Sequence, residues 1–219
     1  MKKILLKLLF IFLTLFLFIS FISCKTLDEK KEGEYNSDYN IFNAIRDRNL
    51  QRVAEIIEAD GSQITAVYNY YEDEKKYNSR YKEIWHHMNG ANPLSFASFY
   101  KDKKIVQYLL DNINDESVLL YQDKDGWNAF AYACGFGNVE IIKSLVQEYH
   151  DFVNWKNSYG ANGLHMAALQ GNIPVFKYLV NDLKIDINST DDKGRGVLYY
   201  AQSDRTKNAL KKLGAKESQ

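Results

Sequence analysis

The chain is poor in residues that cross-link small secreted domains or interrupt helices. Its 219 residues include 2 cysteines and 2 prolines. Two cysteines cannot form a disulfide framework, so apolar packing must hold the folded part together. Lys and Arg together number 28, as do Asp and Glu, and the formal net charge is +0. Because nucleic-acid binding needs clustered positive charge, no nucleic-acid partner is expected.

Common catalytic and cofactor motifs are also missing. The sequence has no G-x-S-x-G motif and no phosphate-binding glycine loop. His86 and His87 are adjacent, so on a helix they point to different sides, and no third ligand follows Glu83 and His86 at metal spacing. We therefore expect no enzyme activity, no cofactor and no metal. A hydrolase or metal-binding site centred on His86 and His87 is kept as a hypothesis of another class.

Internal repetition is the main feature of this sequence. Four similar blocks have the central apolar residues Leu94, Phe130, Leu164 and Leu198, at intervals of 36, 34 and 34. Each block follows a glycine, and a small residue lies three positions after each centre: Ala97, Ala133, Ala167 and Ala201. Apolar residues recur at twelve and fifteen positions after the centre. This period predicts a solenoid of stacked helix–turn–helix units.

The turns and ends of the units can be placed as well. Residues that favour helix N-caps lie eight positions after each centre: Asp102, Asn138, Asn172 and Thr206. Gly137 and Gly171 are expected to close the turn between the helices with positive φ. Pro93 and Pro174 fit first helical turns, where no N–H is needed. The predicted fold is all-α, with five units in a domain at 41–215: near 38–58, 90–112, 126–149, 160–183 and 194–213.

These residues resemble a known repeat family. The segment GANGLHMAALQG at 160–171 is similar to the G-x-T-P-L-H-x-A-A-x-x-G line of ankyrin repeats, with Asn162 and Gly163 in the Thr and Pro positions. Val153-Asn154 and Ile187-Asn188 match the V-N pair that precedes the next finger loop, and only His165 keeps the histidine. The resemblance implies a protein-binding scaffold, in which finger loops and first helices line a concave face.

The positions that would line this face carry mostly aromatic side chains. They are Phe99, Tyr100, Phe136 and Leu169 on helices, and Trp127 and Tyr159 on fingers. Since exposed aromatic stripes mark interfaces, we predict that these residues bind a partner, with Trp127, Tyr159, Tyr100 and Phe136 exposed. Tyr132, Met166 and Tyr200 are expected to pack between repeats instead.

A long insertion separates the first two units. Ile41 and Leu94 are 53 positions apart, which leaves surplus residues near 67–87, within an insertion that we place at 59–89. The insertion carries Tyr70, Tyr71 and Trp85, which are further candidates for partner binding. It extends the finger between the two units, and it either contacts a partner or folds over the aromatic groove.

The N-terminus predicts export and anchoring. Lys2 and Lys3 precede a nearly unbroken apolar run, and residues 1–23 have the plan of a secretory signal peptide. The cysteine that follows resembles a bacterial lipoprotein processing site, which would make Cys24 the lipidated first residue. An uncleaved anchor helix is the alternative. Residues 24–40 are polar and charged and predict a flexible tether.

Both alternatives place the domain in the cell envelope, anchored to a membrane and facing the periplasm or the cell exterior. The leading hypothesis is a membrane-tethered ankyrin-repeat protein that binds another protein through a concave aromatic face, without catalysis. The alternative is an inhibitor, immunity or helper protein for one cell-envelope enzyme. Cys134, next to the small residue Ala133, is expected to be buried and inert.

Overall fold

A computed structural model describes residues 40–68 and 88–217 of the chain. All regular elements in these two ranges are helices, and extended backbone pairs there only at the isolated bridges Lys156–Asn162 and Thr190–Gly196. The α-helices are α1 (Ile41–Arg46), α2 (Leu50–Ala59), α3 (Pro93–Tyr100), α4 (Lys103–Asn112), α5 (Glu116–Leu119), α6 (Ala129–Gly135), α7 (Val139–Glu148), α8 (Gly163–Leu169), α9 (Ile173–Asn181), α10 (Val197–Tyr200) and α11 (Asp204–Lys212). Short 3₁₀ helices occupy Gly61–Thr65 and His150–Asn154.

The helices form pairs that stack in two rows. The first helices of the pairs (α1, α3, α6, α8 and α10) contact one another in that order, and α2, α4, α7 and α9 contact one another in a second row. Ala97, Ala133 and Ala167 are fully buried on the helices of the first row. Their small side chains allow these helices to approach one another closely. Each unit therefore completes its apolar core with its neighbours. The all-helical repeat architecture predicted from the period is confirmed in the described ranges.

The second helices bury the predicted apolar stripe. The side chains twelve and fifteen positions after each centre are Val106, Leu109, Ile142, Leu145, Phe176, Leu179, Leu210 and Leu213, and all except Leu213 are buried. Burying one such side chain contributes about 1.5–3 kcal/mol, so the stripes supply much of the free energy that holds the units together.

Two of the predicted N-caps are confirmed. Asp102 Oδ1 accepts the N–H groups of Lys104 and Ile105 at 3.0 and 3.1 Å at the start of α4. Asn138 Oδ1 accepts the N–H of Ile141 at 3.0 Å at the start of α7. Such caps satisfy N–H groups that have no partner inside the helix, and each is worth about 1 kcal/mol.

The other two caps differ from the prediction. Asn172 lies at the N-cap of α9 without a side-chain cap bond, because its amide instead donates to the carbonyls of Cys134, Gly135 and Gly137 in the preceding unit. The prediction for Thr206 is wrong, because α11 begins earlier. Ser203 is the N-cap there, and its Oγ accepts the Thr206 N–H at 3.2 Å.

The two turn glycines have different physical roles. Gly171 adopts φ 66°, as predicted. Gly137 is not among the glycines with positive φ, so that part of the prediction is wrong. A Cβ on Gly137 would lie 2.7 Å from both Cα and the carbonyl oxygen of Ala133, so glycine is required there by close backbone packing.

Each later unit begins with a finger, the tight loop before its first helix. In the fingers 123–127, 157–161 and 191–195, the first residue donates its N–H to the carbonyl of the last residue at 2.9–3.0 Å. Neighbouring fingers are in contact, because the Asp192 N–H donates to the Tyr159 carbonyl at 3.0 Å. A Cβ on Gly160, whose φ is 76°, would lie 2.9 Å from the Asp192 nitrogen. Glycine therefore allows one finger to lie directly against the next.

The first finger lies beside the predicted insertion. The Tyr68 N–H donates to the Ala91 carbonyl at 2.9 Å, and the Gly90 N–H donates to the Tyr68 carbonyl at 2.8 Å. The same two bonds close the next finger between Asp123, Gly126 and Trp127. The first finger is thus closed by residues on both sides of 69–87, which lie outside the described ranges, and the bounds of the insertion stay a prediction.

Candidate interaction surface

Four aromatic side chains from two adjacent units contact one another. Phe99 has ring centroid distances of 4.8 Å to Phe136 and 5.2 Å to Tyr100, and Trp127 lies 6.4 Å from Phe136. These contacts join the last turn of α3, the C-terminal end of α6 and the second finger. We call Phe99, Tyr100, Trp127 and Phe136 the aromatic surface.

The aromatic surface lies on a buried tyrosine. Tyr132, which is 1% exposed, contacts Trp127 at 5.3 Å and Phe99 at 6.4 Å between ring centroids. Its hydroxyl donates to Asp123 Oδ2 at 2.5 Å, which fixes the ring against the second finger. The surface is therefore supported by a side chain that is held by both packing and a hydrogen bond.

The exposure of the predicted binding residues is only partly as expected. Tyr159 is exposed, with 60% of its surface accessible. Tyr100, Trp127 and Phe136, which we predicted to be exposed, are half-buried because their rings cover one another. Phe99 and Leu169 are half-buried as well. Of the side chains expected to pack between repeats, Tyr132 and Met166 are buried and Tyr200 is half-buried.

One exposed ring was not predicted. Tyr199 is 65% exposed and lies in α10, the short first helix of the last unit. The corresponding residue of the preceding unit is His165, which is fully buried and contacts Tyr200 at a ring distance of 4.9 Å. The guanidinium of Arg195 lies 4.8 Å from the centroid of Tyr199. Within the described ranges, these rings contact one another and not those of the aromatic surface.

Three finger residues organise the loops through the same hydrogen bonds. Oδ1 of Asp123, Asn157 and Asp191 each accepts the backbone N–H groups two and four residues later, at 2.9–3.0 Å. In the two aspartates, Oδ2 accepts the hydroxyl of the tyrosine nine positions later, Tyr132 or Tyr200. The unit with Asn157 has Met166 at that place. The spacing of nine residues between Asp and Tyr is the sequence signal of this pairing, and the repeat pattern alone does not predict it.

The two aspartates differ in electrostatic environment. Burial raises the pKa of Asp123, and hydrogen bonds from Tyr132 and the finger backbone only partly oppose this effect. Burial acts in the same direction on Asp191, but Arg195 Nε at 2.7 Å and the Tyr200 hydroxyl at 2.6 Å bring its pKa below the ordinary value. Burial and the adjacent carboxylate raise the pKa of Tyr200 to about 12. Of the two aspartates, only Asp191 bonds to a cation in the described ranges. This cation, Arg195, stabilises the ionised form of its carboxyl group.

The histidine that carried the family resemblance has a local structural role. Asn162 Oδ1 accepts the N–H groups of Leu164 and His165 at 3.0 and 3.3 Å, and His165 Nδ1 accepts the Asn162 N–H at 3.2 Å. This capping box begins α8. Burial lowers the pKa of His165. Cys134 is fully buried as expected, and burial raises the pKa of its thiol.

Several predicted residues lie outside the described ranges. These are Cys24, Tyr70, Tyr71, Trp85, His86 and His87, together with the predicted signal peptide. Within residues 40–68 and 88–217, no group of three or more His, Cys, Asp or Glu side chains could hold a metal ion. The helices of the same ranges are all too short or too polar to span a membrane.

Comparison with family models identifies the repeats. A model described as ankyrin repeats (3 copies) matches residues 41–154 and 94–191. The two matches together cover more than half of the chain, including the aromatic surface and the fingers.

The curated relatives match over parts of their length. The chain is 27% identical over 95 residues to "Probable 26S proteasome regulatory subunit p28" of Saccharomyces cerevisiae, covering 43% of this chain and 42% of that protein. It is 41% identical over 70 residues to an ankyrin repeat protein of Rickettsia bellii, covering 30% of this chain and 11% of that one. It is 29% identical over 124 residues to Alpha-latrocrustotoxin-Lt1a of Latrodectus tredecimguttatus, covering 57% and 8%. The chain thus spans less than half of each relative.

Proposed function

Because the chain belongs to the ankyrin-repeat family, whose repeats imply a role in protein–protein interaction, we propose that it binds another protein through the aromatic surface and catalyses no reaction. The observation that carries this proposal is the cluster of half-buried rings on adjacent units. Phe99 and Phe136, 4.8 Å apart between centroids, come from different units and are both partly accessible. Rigid aromatic side chains lose little conformational entropy on binding and are enriched at binding hot spots.

The proposal is tested by removing the rings. A chain with Phe99, Tyr100, Trp127 and Phe136 each replaced by Ser should no longer be crosslinked to its partner in the cells that produce it. The helical circular dichroism of this variant should be retained, because the substituted side chains lie outside the fully buried core. The measurement is quantitative mass spectrometry of proteins that are crosslinked to the wild-type chain and to the variant.

A matched variant controls for general effects of losing aromatic surface. Tyr108 on α4 and Tyr178 on α9 are half-buried in the second row of helices, and replacing both by Ser should leave crosslinking unchanged. Retained crosslinking in the variant without the four rings would contradict the proposal. Recovery of one partner in stoichiometric amount would favour the inhibitor, immunity or helper hypothesis over a general adaptor.

We also propose that the chain is a lipoprotein of the cell envelope, tethered through Cys24. The apolar run that ends at this cysteine supports the proposal. Lipid chains contribute about 0.8 kcal/mol per buried CH₂, so more than one chain gives stable anchoring. A Cys24→Ala chain should move from the membrane fraction to the soluble fraction. If it stays in the membrane fraction, an uncleaved anchor helix holds the chain instead.

A further inference from the structure

Two positively charged residues border the aromatic surface at the helix–helix turns. Arg48 and Lys101 follow α1 and α3, each seven positions after the centre of its unit, Ile41 or Leu94, and both are exposed. Arg48 Nη2 donates to the carbonyl of Tyr100 at 3.2 Å, and Lys101 is the next residue in the chain. Both cations therefore lie at the edge of the aromatic surface.

The backbone at these two positions is unusual for residues with a side chain. Arg48 has φ 55° and Lys101 has φ 63°, both in the left-handed region. The corresponding residue of the fourth unit is Gly171, with φ 66°. A side chain in this conformation costs energy that glycine avoids. The first two units thus present long cationic side chains at a turn where glycine is the less strained choice.

Arg48 and Lys101 have no acidic partner in the part of the chain that the structure describes. Asp47, next to Arg48, pairs with Arg46 at 3.0 Å. Asp102, next to Lys101, accepts two backbone N–H groups at the start of α4. The acidic residues that are adjacent in sequence therefore have other partners, and within residues 40–68 and 88–217 both positive charges are left without a carboxylate.

We propose that the partner segment carries an Asp or Glu side chain close to an apolar side chain. This inference rests on the proposed function of the aromatic surface. The apolar side chain contacts Phe99 and Phe136, and the carboxylate pairs with Arg48 and Lys101. A guanidinium has five N–H donors, so the bond to the Tyr100 carbonyl leaves donors for a carboxylate. Such a charge pair at the rim would select the partner and set its register.

Selection from a library of random peptides displayed on phage tests the proposal. The full chain, solubilised in detergent, should enrich peptides with Asp or Glu within a few positions of an aromatic or aliphatic residue. An Arg48→Gln/Lys101→Gln chain should lose the acidic preference and keep the apolar one. A synthetic peptide from the wild-type selection should bind this variant about fivefold to tenfold more weakly. Added salt should weaken its binding to the wild-type chain.

Two further variants separate charge from aromatic contact. Lys104→Gln/Lys177→Gln removes the same charge from exposed lysines of α4 and α9 and should leave the selection unchanged. A Trp127→Ser/Phe136→Ser chain should no longer enrich peptides for aromatic or aliphatic residues.

The outcomes distinguish this inference from the proposed function. If the wild-type chain enriches apolar peptides that lack acidic residues, the carboxylate pairing is overturned and the proposed function stands. No enrichment on the wild-type chain, or enrichment that none of the substitutions changes, would overturn both. The wild-type chain could instead bind phosphatidylglycerol vesicles through Arg48 and Lys101 and enrich no acidic peptides. This result would assign the two cations to a lipid surface and would also overturn the inference.

Discussion

Replacing Gly163 by Ala is expected to destabilise the fold by about 3 kcal/mol. An added Cβ would lie 2.8 Å from both Cys134 Sγ and Phe130 Cε1. Both neighbours are fully buried, so neither can move without displacing other core side chains. The φ of Gly163 is not among the positive values, so the expected loss comes from overpacking and not from backbone strain. Urea unfolding followed by circular dichroism measures the loss.

The preceding unit explains why this position must be glycine. Phe130 is the central apolar residue of that unit. The later units have a leucine at the same position, Leu164 or Leu198. In a Phe130→Leu/Cys134→Ala background, the space for a Cβ is restored, and the same Gly163→Ala change should be close to neutral. The corresponding coupling free energy is about 3 kcal/mol.

A glycine elsewhere provides the matched control. Gly61 also has no positive φ, and no atom lies within 4 Å of a Cβ built on it. Gly61→Ala should therefore change the free energy of unfolding by less than about 0.5 kcal/mol. If Gly163→Ala proves equally destabilising in both backgrounds, contact with Phe130 and Cys134 is not the cause.

Asp191→Asn should destabilise the fold by about 2–3 kcal/mol at neutral pH. The Asp191 carboxylate is fully buried, and Oδ2 accepts from Arg195 Nε at 2.7 Å and from the Tyr200 hydroxyl at 2.6 Å. An amide nitrogen in place of this oxygen would face two donors and would leave the partly exposed guanidinium unpaired. The change in urea midpoint, with the slope unchanged, reports the loss.

Asp123→Asn is the paired control and should cost about 1 kcal/mol. Asp123 Oδ2 accepts one hydroxyl, that of Tyr132, and no cation is bonded to it in the described ranges. A rotated hydroxyl can accept from the new amide. Asn157 already makes the same finger bonds in this chain. Equal losses for the two aspartates would contradict a special role of Arg195.

The stability costs of Asp191→Asn and Asp123→Asn are expected to change with pH in opposite directions. The pKa of Asp191 is below its ordinary value of 3.8, so its stabilising contribution is present above that value and is lost as pH falls through and below it. The cost of Asp191→Asn should therefore shrink on acidification. The pKa of Asp123 is above 3.8, so the folded state binds the proton more tightly and gains stability as pH falls. The cost of Asp123→Asn should grow, and unfolding titrations at several pH values compare the two.

The helix pairs were predictable because their signal is local and repeated. Ala97, Ala133 and Ala167 and the apolar stripes recur with one register, and all of these side chains except Leu213 are buried. The cap at Ser203 was missed because α10 is shorter than the other first helices, so α11 begins before the register predicts. A repeat pattern describes regular units and loses accuracy in a unit whose first helix is shorter than the others.

The candidate site was harder to predict, for a physical reason. The sequence identified the positions of Phe99 and Phe136, but not that their rings meet across two units and cover each other. Exposure depends on such contacts between residues that are distant in sequence. The insertion illustrates the same limit, because spacing reveals its surplus length, whereas the hydrogen bonds of Tyr68 with Ala91 and Gly90 reveal how the finger beside it is closed.

The contact between neighbouring fingers has a mechanical consequence. Asp192 bonds to the Tyr159 carbonyl, and Gly160 leaves no room for a side chain between the two loops. Separating these two loops would break this bond and expose both backbones, so the two loops resist spreading. A client that contacts both loops must match the spacing that this bond sets.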